Sequence, residues 1–229
     1  MNFPLACFFL IGGVILVLLY FILLFFSNHA VDKKERNSLL NSFPYLFYQN
    51  TPMSMRILLY VILGGAVVLI GLGEAFFFSA MEFTYYQFAL SLLFPLSLLS
   101  LYISNLLPLN YYRSHLVFSV LGFFLFASAS VLTGLIPFVT GATLEIVYYN
   151  KTIVILIGVI GLLCFLGLCN PKLANWSKMQ RAEDNGKTYY VKPKINFYAF
   201  YEWMSLILMA VVALLLFINI LVLGLIVMN

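Results

Sequence analysis

The chain has 229 residues, of which 64% are hydrophobic and 9% charged. A typical soluble domain carries about 25% charged residues. With a mean hydropathy of +1.05 there is too little polar surface to cover a water-soluble globule. The net charge of +4 does not point to nucleic acid, because the Lys and Arg residues sit between apolar runs, where membrane orientation and anionic lipid account for them.

A membrane span needs about 20 predominantly apolar residues, and six such stretches use most of the chain. The sequence therefore predicts an all-α polytopic membrane protein, a single integral domain over residues 1–229. The expected helices cover residues 4–26, 56–80, 86–107, 115–138, 152–168 and 203–228. The first run has no Lys or Arg ahead of it, and charges appear only after it, at Asp32 to Arg36. A cleaved signal peptide has a basic start, so the first helix is expected to be retained.

Orientation follows from the cations. Lys33, Lys34, Arg36 and Arg56 follow the first helix, Arg113 the third, and Lys172, Lys178, Arg181, Lys187, Lys192 and Lys194 the fifth, whereas the opposite gaps hold only Lys151. The positive-inside bias then puts segments 27–55 and 170–200 in the cytoplasm and both termini outside, in a cell (inner) membrane. Tyr85, Tyr86, Tyr148 and Tyr149 fall at the expected outer interface, and Tyr111, Tyr112, Trp176, Tyr201 and Trp203 at the inner one. In the second basic segment Leu173, Trp176 and Met179 recur every three residues, which suits a short helix lying on the membrane. Residues 183–186 read as a turn and 187–191 as a short strand.

Glu74, in Gly71-Leu72-Gly73-Glu74-Ala75, is the polar position with most to say. A carboxylate at membrane depth costs a few kcal/mol unless paired, protonated or facing water. It is either a proton, cation or substrate contact, or an outer-interface residue beyond an early helix end. Asn219 is the one amide deep in the sixth helix, suited to interhelical bonding or to a substrate. Arg113 and His115, with Lys172, Trp176 and Arg181, are candidates for lipid headgroup or partner contact, or simple anchors. Glu202 is expected at a helix start, where the macrodipole favours an acid. Gly71 and Ala75, Ser130 and Gly134, and Gly158 with Gly161 are small-residue packing positions, for neighbours in the bundle or for another subunit.

Cys7, Cys164 and Cys169 form no CxxC, and His29 and His115 do not make a metal or haem set. No cofactor is expected. No P-loop, G-x-S-x-G or H-E-x-x-H is present, and no Ser, His and acid are expected together at one depth. These features lead to a non-catalytic membrane subunit of a larger assembly handling transport or export, partnered by anionic lipid and by other membrane subunits. A self-sufficient transporter or channel using Glu74 is the alternative, followed by a lipid-modifying enzyme at the cytoplasmic interface with Arg113, His115 and Lys172 near a headgroup.

Overall fold

The computed structural model describes residues 3–29, 47, 51–79, 84–107, 111–139, 149–169, 181–184, 187–190 and 197–228. Its helices are α1 (Phe3–His29), α2 (Met53–Ser79), α3 (Thr84–Leu106), α4 (Tyr112–Val139), α5 (Lys151–Leu168) and α6 (Phe197–Met228). All six are long and apolar enough to cross a membrane. The chain is thus built as a multi-pass helical bundle, as its composition predicts.

Helix α6, at 32 residues, starts six residues earlier than the apolar run indicates, so Glu202 lies in its second turn rather than at its first residues. The early start is held by packing, since Tyr198 and Ala199 are buried. Helix α4 likewise begins at Tyr112, which brings Arg113 and His115 inside it. Between α5 and α6 lie two strands, β1 (Arg181–Asp184) and β2 (Lys187–Tyr190), paired antiparallel with Asp184 opposite Lys187. Glu183 and Asp184, expected in the turn, are therefore strand residues. The expected surface helix around Leu173, Trp176 and Met179 lies outside the described residues.

Helices α1 to α5 pack each on the next, and α6 closes the bundle by meeting all five. Helices α4 and α5 cross with their backbones in close approach. A Cβ on Gly158 would stand 2.7 Å from the Gly134 Cα, and one on Gly161 would stand 2.7 Å from the Val131 backbone nitrogen. Only glycine lets two backbones come this close, the small-residue device that membrane helices use where lipid offers no hydrophobic drive to associate. Gly71 is buried against Pro95 of α3, with Ala75 half-buried beside it. These small positions are filled by neighbours within the bundle.

Two of the aromatic residues expected at the headgroup level pack against neighbouring helices. Trp203 is buried, tilted against Phe21 and edge-on to Phe47 with ring centroids 5.9 and 5.0 Å away. Tyr149 is buried as well. Their large apolar faces gain from packing against other side chains of the bundle. The outward faces are apolar: on α5 alone Leu156, Val159, Leu162, Leu163 and Leu166 are exposed, which hydrocarbon solvates at no cost.

Candidate functional site

Among the polar side chains buried in the bundle, Glu74 and Asn219 lie toward one end of the spans and His115, Ser119 and Glu202 toward the other. Glu74 belongs to the end where α2 finishes. It is 1% exposed and five residues before Ser79, the last residue of α2, so it is a buried helix residue and does not lie beyond an early helix end. Its position follows from its helical neighbours. Gly71, one turn back, rests on Pro95. Phe78, one turn on, stacks on Phe94 at 5.6 Å. Phe77 meets Phe3 at 6.1 Å, and Ile70 lies where a Cβ on Gly13 would stand. Glu74 thus sits on the face of α2 that packs between α1 and α3. Its Oε2 has no hydrogen-bond partner among the described residues. Pro95 also lacks an N–H, so α3 forgoes the backbone bond to the Ser91 carbonyl one turn earlier.

At the same end, Asn219 Oδ1 accepts a hydrogen bond from the Asn150 backbone N–H at 2.6 Å. The Asn150 side chain in turn accepts from the backbone N–H groups of Thr152 and Ile153 at 3.1 and 3.3 Å, capping α5. Asn219 therefore ties α6 to the first turn of α5. Its own Nδ2 is buried with no partner among the described residues.

The second group brings together three residues that the sequence does not associate. His115 and Ser119 are one turn apart on α4, and both face Glu202 of α6. Ser119 Oγ donates to Glu202 Oε1 at 2.5 Å, and His115 Nε2 lies 2.8 Å from the same oxygen. All three side chains are buried, His115 fully and Glu202 to 1% exposure. The expectation that no Ser, His and acid share a depth is thereby corrected. The signal was weak, because 83 residues separate Ser119 from Glu202 and only the i, i+4 spacing of His115 and Ser119 was visible.

Proton placement can be worked out from donors and acceptors. His115 Nδ1 is 3.3 Å from the Leu107 carbonyl oxygen, which only accepts, so that bond needs a proton on Nδ1. With a second proton on Nε2 the ring is an imidazolium, and its 2.8 Å contact with Oε1 is an ion pair. The contact is electrostatic, since the ring N–H is not aligned as a regular hydrogen bond. Glu202 Oε2 has no partner among the described residues. Ser205 Oγ donates to the Glu202 backbone carbonyl at 2.7 Å, and Tyr198 sets its ring edge-on to His115 at 6.5 Å. This is not a nucleophile triad: the Ser119 proton goes to the carboxylate and not to the imidazole, so His115 is not placed to take it.

The remaining sequence candidates are dispersed. Arg113 is exposed, whereas His115 turns inward, so the two do not form one headgroup site. Lys172 and Trp176 lie outside the described residues, and Arg181 is described only as a β1 residue paired with Tyr190. The three cysteines are free thiols. Among the described residues no three His, Cys, Asp or Glu converge as metal ligands. The chain matches no family model, no curated protein and no solved structure.

Proposed function

We propose that this chain is a non-catalytic integral membrane component of an assembly for transport or export, and that Glu74 is its proton-, cation- or substrate-binding group. The reading is carried by the buried Glu74 carboxyl with its unpartnered Oε2. A bare carboxylate there costs a few kcal/mol, which binding a proton or a cation relieves. Glu202 and His115, at the other end of the bundle, are a second pair of buried groups able to take up a proton. In this reading the basic segments face the cytoplasm and both termini lie outside the cell membrane.

A lipid-modifying enzyme is less well supported, because His115 is buried against Glu202 and not presented beside Arg113.

Two experiments test the proposal. Purification in mild detergent is expected to bring down other membrane chains in fixed ratio; a monodisperse protein that remains alone refutes the subunit role. Proteoliposomes carrying the purified assembly are expected to show proton or monovalent-cation flux that Glu74→Gln abolishes. Normal flux in that variant refutes the role of Glu74.

A further inference from the structure

Helices α2 and α3 run antiparallel: Gly64 lies against Tyr102, Gly71 against Pro95, and Phe78 against Phe94. A Cβ on Gly71 would stand 3.5 Å from the Pro95 Cβ and 3.7 Å from its Cα, so the two positions are in ordinary contact. Helical side chains lean toward the N-terminus and cover the turn before their own Cα. Glu74 follows Gly71 by one turn. Its side chain therefore leans back over that glycine, which has no side chain to take the room. This carries the carboxyl toward the Pro95 stretch of α3.

Pro95 changes what α3 offers there. It has no N–H, so the helical bond that would end on the Ser91 carbonyl is not made. Ser91 stands one turn before Pro95. In an antiparallel pair that is the level one turn past Gly71, which is the level of Glu74. The released carbonyl and the buried carboxyl thus share a depth. The Ser91 hydroxyl is engaged elsewhere, donating to the Phe88 carbonyl at 3.0 Å. A carbonyl and a carboxylate both only accept, so neither satisfies the other. One proton on Glu74 Oε2, the buried oxygen with no partner among the described residues, makes a donor for the Ser91 carbonyl and removes the charge together. A metal ion suits these atoms less well. Mg²⁺ or Ca²⁺ gathers about six oxygens or more. The side chains placed around Glu74 by the contacts above, Phe77, Phe78, Phe94 and Pro95, carry none, and among the described residues no three His, Cys, Asp or Glu converge.

We propose that Glu74 binds a proton and not a metal cation, and that the Ser91 carbonyl released by Pro95 accepts the hydrogen bond of the resulting carboxylic acid. This rests on the reading of Glu74 as the binding group of the chain and narrows that reading to one ligand.

The test is infrared difference spectroscopy of the reconstituted full chain, titrated from alkaline to acid buffer. A carboxylic-acid C=O stretch is expected at the acid end, shifted by exchange into D₂O and lost in Glu74→Gln. Saturating Na⁺ or K⁺ is expected to leave its titration midpoint in place. Pro95→Ala restores an N–H that engages the Ser91 carbonyl, so the stretch is expected to move to higher wavenumber, as for an acid that has lost its acceptor. Pro95→Ser restores the same N–H and serves if the Ala variant does not fold. The proposal is overturned if no such stretch depends on Glu74, if Na⁺ or K⁺ moves its midpoint, or if the stretch keeps its position once residue 95 has an N–H. Flux that survives Glu74→Gln while the spectra behave as expected would refute the transport reading and leave the proton site standing. Flux lost in that variant, with a midpoint that Na⁺ or K⁺ moves, would overturn the proton site alone.

Discussion

Replacing His115 with Leu removes one of the two groups that meet Glu202 Oε1 and leaves a buried carboxylate held only by Ser119. Breaking one side of a buried ionic contact costs about 3–5 kcal/mol, mostly the cost of the stranded partner. Glu202→Leu strands the imidazole and the Ser119 hydroxyl at a similar cost. In the double variant nothing charged remains, and Ser119 can turn to a carbonyl of its own helix, so the loss falls to about 1–3 kcal/mol. The cycle then gives a coupling above ~2 kcal/mol. That magnitude discriminates, because neutral interhelical hydrogen bonds in membranes average only ~0.6 kcal/mol in such cycles. The assay is reversible unfolding in mixed micelles under rising dodecyl sulfate, followed by far-UV circular dichroism and by the emission of Trp203, the residue next to Glu202. Losses that add to within about 0.5 kcal/mol would refute the ionic contact and reduce the cluster to ordinary packing.

Gly158→Leu would push a side chain into the Gly134 backbone, and overpacking of this kind costs about 1–3 kcal/mol or more. The same titration should show early unfolding, and unchanged stability would mean that α4 and α5 do not cross as described. In a chain freed of its three native cysteines, cysteines placed at Lys33 and at Lys187 should react with an impermeant maleimide from the same side, because four spans separate them. Labelling from opposite sides would refute the six-span arrangement.

Much of the architecture can be read from residue types alone. Six apolar runs need six spans, because a backbone in hydrocarbon must satisfy its polar groups internally. That constraint is local and one-dimensional, so periodicity and length reveal it. Helix ends are less legible where packing moves them: Phe197 to Glu202 looks like an aromatic connection until Tyr198 and Ala199 are seen buried. The short strand near residue 187 could be read from the chain, whereas its partner at Arg181–Asp184 depended on pairing.

Glu74 was visible as a carboxylate within an apolar helix, but not whether it was buried. That depended on where α1 and α3 lie against α2. The His115–Ser119–Glu202 cluster was invisible for the same reason: a buried charge is settled by which residues meet it across the bundle, and no spacing along one helix encodes a contact with another. The order of residues alone determined the solvent, the number of spans and the distribution of cations among the connections. Tertiary packing decided which polar atoms lose water together, because desolvation depends on neighbours distant in sequence.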